Sequence, residues 1–349
     1  MKKAFSLALA MALILTMLAG CGGNANTGTP SAGGSTPAAG PIQIKIATTG
    51  NEQHQSTLAA SFFKEKVEEL SGGQIAVTLY PNSSLGSERE AAEGVKMGSI
   101  EMTIVTSDGA LPSFVPETQV LSIPYLFSSK AEAYYVLDNF LQGELGPLFE
   151  AQGMKHLGFC ELGFRHFTNN AREVTKADDM KGLSIRVQEA PIWFALAESL
   201  GFIATPIAFN ELYTALQQGM VDGQENPIAS ISSSAFDEVQ KYMCMDGHTY
   251  AAESILINLN LYNSMTAEQQ AWVDEAAAYA VDSQRALVDS MEAEMLESIK
   301  AKGVNVCEDP DLASFQAATA NLYLRDDVKA LVKPELVEAV RAAVAEFPG

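Results

Sequence analysis

The hydrophobic pattern of this 349-residue chain changes period repeatedly, and each change marks an element. From residue 41, PIQIKIATT places Ile42, Ile44 and Ile46 at alternate positions, as in a strand with one buried face. Leu58, Phe62, Phe63, Val67 and Leu70 then follow helical spacing, and Ser71-Gly72-Gly73 ends that helix. QIAVTLYP returns to alternation at Ile75, Val77 and Leu79. Ser87 and Glu90 make an S-x-x-E capping box for a helix ending near Gly98, and EMTIVT (101–106) reads as the next strand. KHLGFCE (155–161) and GLSIRV (182–187) predict further strands. A helix opens at Pro191 and closes at Gly201, and Asn210 is placed to cap NELYTALQQ, which stops at Gly219. Strands alternating with helices of this length predict an α/β fold with a largely parallel sheet.

Two longer-range features refine that expectation. VKMGSIEMTIV (95–105) and LQQGMVDGQEN (216–226) share an order of helix end, glycine, short apolar pair and acidic residue. A true repeat would give two similar α/β lobes with a ligand in the crevice between them at the strand ends. From Thr266 to about Lys302 there is neither Gly nor Pro, and Thr266 and Gln269 fit a capping box. At ~1.5 Å per residue this helix could exceed about 50 Å. Its apolar positions hold no strict heptad, which favours a helix bridging two lobes over a coiled coil.

The first residues read differently. Lys2 and Lys3, the apolar run Ala4 to Met17 and the small residues before Cys21 form a secretory signal of lipoprotein type (1–20), with Cys21 the residue to be lipidated. Residues 21–40 contain no large apolar side chain after the cysteine and read as a flexible tether. The expectation is an exported, extracytoplasmic protein anchored to a membrane by lipid. Three further cysteines, Cys160, Cys244 and Cys307, are widely spaced and read as core residues rather than as a disulfide framework or metal site.

A formal net charge of -21 with no basic stripe argues against nucleic-acid binding. It also means that an anionic ligand would need local positive groups inside a pocket. Enzyme signatures are missing: there is no G-x-S-x-G, H-E-x-x-H, P-loop or G-x-G-x-x-G after a strand. His54, His156, His166 and His248 lie far apart, and Asp178-Asp179 reads as a solvated turn. The chain is therefore expected to be neither an enzyme nor dependent on a cofactor or metal. Arg165, just past strand 155–161, Arg186 on strand 183–187 and Asn226 after the Gly219 turn remain as candidate polar groups. A guanidinium suits a carboxylate because its planar fork makes two parallel charge-assisted hydrogen bonds. The ordinary alternatives are a solvated charge for Arg186, a surface charge or a salt bridge to Glu161 for Arg165, and a turn residue for Asn226.

The run GFRHFTNN…DDMKGLSIRVQEAPIWFALAESLGFIATPIAFNELYTALQQGMVDGQENP…DEVQKYMCMDGHTY resembles the DctP-type solute-binding proteins of TRAP transporters. So does FFKEKVEELSGGQIAVTLYPNSSLGSEREAAEGVKMGSIEMTIV followed by VLSIPYLF, so the resemblance extends from Ile42 to the last helix. It implies a two-lobed periplasmic-binding-protein fold, type II-like, with a hinge and a long helix spanning both lobes. The expected division is 41–162 plus 252–291 for lobe I and 163–251 plus 292–349 for lobe II. It also implies closure around an organic acid delivered by a monomer to TRAP membrane permease subunits. Arg186 matches the carboxylate-binding arginine, Arg165 the second frequent arginine, Asn226 the ligand-facing asparagine and Phe209 an aromatic wall. Glu88, Thr106 and Glu189 match positions that vary with substrate, and His54 sits near a first-loop position that sometimes contacts ligand. Glu189 stands where members that bind sialic acid often have an uncharged polar residue, and Gln55 where a proline commonly follows the histidine. A carboxylate at 189 would repel a second acid group, so the reading leans to a hydroxylated monocarboxylate such as a sugar acid. The rivals are the binding component of an ATP-driven importer, a ligand sensor for a signalling receptor, and an enzyme.

Overall fold

A computed structural model describes residues 40–349, and these form a single compact unit. The signal segment, most of the tether and Cys21 lie outside the described residues. In chain order the first lobe is built from β1 (Ile42–Ala47), α1 (Gln55–Leu70), β2 (Ile75–Tyr80), α2 (Glu88–Met97), β3 (Met102–Thr106), α3 (Lys130–Val136) and α4 (Gln142–Ala151). Strand β4 (Met154–Asn169) leads into the second lobe, which holds β5 (Ser184–Val187), α5 (Ile192–Leu200), β6 (Ile203–Pro206), α6 (Phe209–Gln217), β7 (Gly223–Pro227), α7 (Ile228–Ser233) and β8 (Tyr242–Cys244). The chain returns through β9 (Tyr250–Asn258) and continues as α8 (Leu259–Ser264), α9 (Ala267–Ala301), β10 (Asn305–Cys307), α10 (Leu312–Thr319), α11 (Asp326–Lys329) and α12 (Pro334–Ala345).

The strand order is β2-β1-β3-β9-β4-β7-β5-β6, with β8 on β4 and β10 on β8. Within each lobe the βα units pair in parallel, as alternation predicts: β1 with β2 and β3, β5 with β6 and β7. The expectation of a largely parallel sheet fails at the centre, where β9 runs antiparallel to β3 and β4, and β4 runs antiparallel to β7 and β8. These strands carry the chain across and back between lobes, so their direction is set by the crossing and not by a βαβ unit. β4 pairs with β9 as far as Phe164 and with β7 from Arg165. The register shifts between Glu161 and Gly163, and Gly163 has φ +119, a backbone region essentially reserved for glycine.

Capping largely follows the sequence. The Ser87/Glu90 and Thr266/Gln269 boxes both form, and Gly98 closes α2 in the left-handed conformation. Asn210 is not a cap: α6 starts one residue earlier at Phe209, on Ala208, with no side-chain capping bond. The long helix α9 runs 35 residues, about 52 Å at 1.5 Å per residue. Val273, Ala276, Ala277 and Ala280 sit in the first-lobe core with Phe63 and Val67 of α1, while Ile299 lies in the second-lobe core with Leu212 and Phe236. Small residues at 276, 277 and 280 let α1 approach closely, and the two ends of α9 seat in different cores. The C-terminal segment touches elements of both lobes, α10 on α5 and α12 on α3.

Candidate functional site

β5 points Arg186 into the molecule. Although Ser184 and Arg186 alternate with Ile185 and Val187, Arg186 is only 3% exposed, so the ordinary reading of a solvated arginine is excluded. Its Nε donates to the carbonyl of Ile207 at 2.8 Å, fixing the guanidinium plane. Burial lowers its pKa to about 10, with the neighbouring charge of Arg165 adding to the effect, so the side chain stays cationic at neutral pH. It faces a narrow cavity of about 10 Å³, room for about one water.

Six of the candidate residues line that cavity together: His54, Glu88, Thr106, Arg186, Phe209 and Asn226. Glu88 begins α2, and its Oε1 accepts from the backbone N–H (3.0 Å) and the hydroxyl (2.7 Å) of Thr106 at the end of β3. His54 caps α1. Its Nδ1 accepts from the Ser56 N–H at 3.3 Å and lies 2.8 Å from the Ser56 hydroxyl, while its buried Nε2 has no protein partner. Burial lowers the His54 pKa to about 4, so the ring is neutral. Phe209, from the second lobe, meets it edge to face at 5.3 Å. Glu189 stands apart: it is exposed and lines an adjoining cavity of about 20 Å³ that shares Glu88, Arg186, Gln188 and Phe209. Its charge lies at the mouth.

Arg165 is not past strand 155–161 but inside it, because β4 continues to Asn169. It is 1% exposed, and its partner is neither solvent nor Glu161. Its Nε and Nη2 bind the carboxylate of Glu225, Nη2 to Oε1 at 2.8 Å, and Nη2 also reaches the Asn226 Oδ1 at 3.2 Å. Burial opposes the Glu225 charge, but Arg165 and His248 outweigh it and hold the carboxyl below its ordinary pKa. His248 Nε2 lies 3.3 Å from Glu225, and its Nδ1 lies 2.9 Å from Asp246. Burial lowers the imidazole pKa, yet these two carboxylates more than compensate and push it up to about 9. A buried row of alternating charges, Asp246–His248–Glu225–Arg165, therefore lies behind the cavity and reaches its wall through the Arg165 bond to Asn226. Arg165 keeps one donor, Nη1, without a protein partner. Asn226 gives its Nδ2 to Gln224 Oε1 at 2.6 Å, which fixes the amide.

Gln188, Thr49 and Leu162 also line the cavity and are absent from the sequence-based candidates. Gln188 had a signal: the alternation that places Arg186 on one face places residue 188 on the same face. The lobes meet around the cavity. Gln55, from α1, donates to the Ser230 hydroxyl and the Leu162 carbonyl (both 3.2 Å), and Asn51 donates to the Ser233 carbonyl at 2.7 Å. A Cβ on Gly109 would stand 2.2 Å from Gln188 Oε1, so the first lobe's backbone passes directly over that side chain.

A larger groove of about 650 Å³ includes Phe164 and His166, which alternation turns to the face of β4 opposite Arg165. Its one cation, Lys130, is already bound to Glu161, Asp289 and Glu292 at 2.6–2.8 Å, so it offers no free charge for an anion. Among the described residues, no cluster of three or more His, Cys, Asp or Glu is placed to hold a metal ion, and no helix is long and apolar enough to cross a membrane.

Known proteins resemble this chain along most of its length. The family model DctP, bacterial extracellular solute-binding protein family 7, matches residues 46–327. A solute-binding protein of Verminephrobacter eiseniae is 42% identical over 280 residues, 80% of this chain and 82% of that protein. The crystal structure of a TRAP periplasmic solute-binding protein from Bordetella bronchispeptica, with density assigned to pantoate, aligns with a TM-score of 0.82 at 36% identity, covering 86% of this chain and 99% of that one. A second, from Polaromonas, bound to D-erythronate, aligns with a TM-score of 0.83 at 34% identity over 86% and 98% of the two chains.

Proposed function

The chain belongs to bacterial extracellular solute-binding protein family 7, the DctP family, and on that premise we propose that Arg186 is the group on which its ligand's carboxylate docks. The protein is an extracytoplasmic solute-binding protein of a TRAP transporter, a binding and not a catalytic family, and it captures an organic acid for the membrane permease. Pantoate and D-erythronate, the ligands of the two aligned structures, are both hydroxylated monocarboxylates, in line with a sugar-acid-like ligand here.

One observation carries the role of Arg186: it is the buried cation in the cavity wall whose guanidinium spends only Nε on the protein. Asn226 and the free Nη1 of Arg165 would complete the carboxylate's hydrogen bonds, and Phe209 would cover the ligand body. Micromolar affinity needs about 8 kcal/mol net, within reach of one desolvated fork and a few hydroxyl bonds. Cys21, in its lipobox-like setting, would carry the lipid that holds a monomeric protein at the membrane through the 21–40 tether.

The test is a thermal-shift screen of organic acids on wild type and Arg186→Met, which keeps the bulk and removes the fork. The expected result is a ligand-dependent rise in Tm for wild type and its loss in the variant. An undiminished shift in the variant would remove Arg186 from the role. For the anchor, wild type should fractionate with membranes and Cys21→Ala should not; equal fractionation would exclude Cys21 lipidation.

A further inference from the structure

We infer that this cleft selects organic acids with a single negative charge and several hydroxyls, that it rejects dicarboxylates, and that Gln188 and Glu88 make the selection. The inference rests on the docking of the ligand carboxylate at Arg186. The wall holds one uncommitted cation, Arg186, and two carboxylates, Glu88 inside and Glu189 at the mouth. Arg165 adds no free charge, because Glu225 lies against it and the row behind the cavity, Asp246, His248, Glu225 and Arg165, sums to zero. His54 is neutral. Once one ligand carboxylate sits on Arg186, a second would meet no free cation and would face Glu88, a half-buried carboxylate with no ion pair among the described residues.

Hydroxyls fit the same wall. Glu88 spends Oε1 on Thr106, leaving Oε2 as an acceptor. Gln188 Nε2 and His54 Nε2 are buried without protein partners, and because His54 Nδ1 accepts the Ser56 N–H, the ring proton belongs on Nε2. One acceptor and two donors around a cavity match groups that both give and take a hydrogen bond, which carboxylates and methylenes do not.

Isothermal titration at neutral pH with D-erythronate or D-gluconate, succinate, butyrate and L-serine tests this. The hydroxylated monoanion should bind at least about 100-fold more tightly than succinate, the discrimination expected when a buried charge or polar group lacks its partner. Glu88→Gln should narrow that gap by about tenfold or more, and Gln188→Leu should weaken the hydroxylated acid by about tenfold more than it weakens butyrate. Succinate or serine binding within about threefold of the hydroxylated acid would overturn the inference, as would an unchanged preference in Gln188→Leu. Wild type alone decides the first comparison if a variant fails to fold. Failure of every acid to bind would instead overturn the docking at Arg186.

A separate observation concerns two cysteines that the sequence separates. Cys307 of β10 is the direct cross-strand partner of Cys244 of β8, and neither is bonded. Neighbouring strands lie about 4.8 Å apart with paired side chains on the same face, inside the range a disulfide spans. We propose that outside the cytoplasm this pair forms a disulfide, the two thiols giving up two protons and two electrons to an exchangeable disulfide oxidant such as a thiol–disulfide oxidoreductase. The bond would clip the segment after α9 to the second lobe. Folded protein incubated with oxidised glutathione, then denatured and alkylated without reduction, should label at Cys160 but not at Cys244 or Cys307, and its Tm should exceed that of the reduced protein by several degrees, roughly. Labelling of all three cysteines, or mixed disulfides with glutathione in place of the intramolecular bond, would overturn it.

Discussion

Glu225→Gln tests whether the charge row behind the cavity is as dry as its geometry implies. Glu225 is fully buried, binds Arg165 through two guanidinium nitrogens and faces His248 at 3.3 Å. The substitution keeps shape and removes the charge, leaving the Arg165 guanidinium buried without its carboxylate and His248 with Asp246 alone. Removing one partner of a buried pair costs about 3–5 kcal/mol because the other charge stays desolvated. In a folded unit of this size each kcal/mol moves Tm by roughly 2–3 °C, so calorimetry at neutral pH should show a drop of roughly 6–15 °C. Asp178→Asn is the control: its ion pair with Lys181 is about 70% exposed on both sides, so the loss should stay under about 2 °C. The variant's His248 should also titrate well below about 9, visible in its ring proton shifts, since one of its two carboxylate partners is gone. A Tm loss in Glu225→Gln no larger than the control's would refute the claim that Arg165 is neutralised from within, and with it the charge count of the cleft.

Two further outcomes follow from buried polar groups. His248 has a folded pKa of about 9 against 6.5 unfolded, so its stabilisation is complete below pH 6.5 and is lost as pH rises towards 9. Stability should fall by up to about 1.4 kcal/mol per pH unit between these limits, and His248→Gln should flatten that slope in urea titrations at successive pH values; an unaltered slope assigns the proton elsewhere. Gln284 of α9 donates to the Glu161 carbonyl at 2.7 Å and accepts its N–H at 3.0 Å, so Gln284→Leu should cost about 2–4 kcal/mol by orphaning both groups, read as a lower urea midpoint at constant m; a cost under about 1 kcal/mol would mean the strand edge repairs itself.

Much of this architecture is written in local pattern. The two capping boxes, the left-handed Gly98 and the uninterrupted α9 follow from short-range chemistry that tertiary packing does not override. Asn210 misleads because α6 starts one residue earlier, at Phe209, whose ring packs edge to face on Phe236, so residue 210 already lies inside the helix. β4 is longer than its apolar run because Arg165 and Thr168 have side-chain partners on β7, Glu225 and Gln224, and Thr168 a further one in Gln240 just before β8, so polar residues are buried in a strand. Those partners lie about sixty residues or more away, and no periodicity announces which carboxylate an arginine will meet. From the residues alone Arg186 was legible only as an oddity on an alternating strand, and its expected role came from the family resemblance. That Glu189 lies at the mouth while Glu88 lies within depends on how loops fold over the cleft, which residue order does not reveal.

The double seating of α9 has a mechanical consequence. Gln284 and Arg285 fasten its middle to β4 of the first lobe, through Glu161 and the Phe159 carbonyl, while Ile299 is sunk in the core of the second. Any swing of one lobe against the other must flex the stretch between these anchors or pull Ile299 from its seat. The molecule is therefore less like a door on a pin than like sprung tweezers, whose restoring force grows with the gap. Residues away from the cavity wall, on the span from 289 to 298 where Asp289 and Glu292 hold Lys130 and Met295 packs on the second-lobe core, would then set how wide the jaws stand and how quickly they shut.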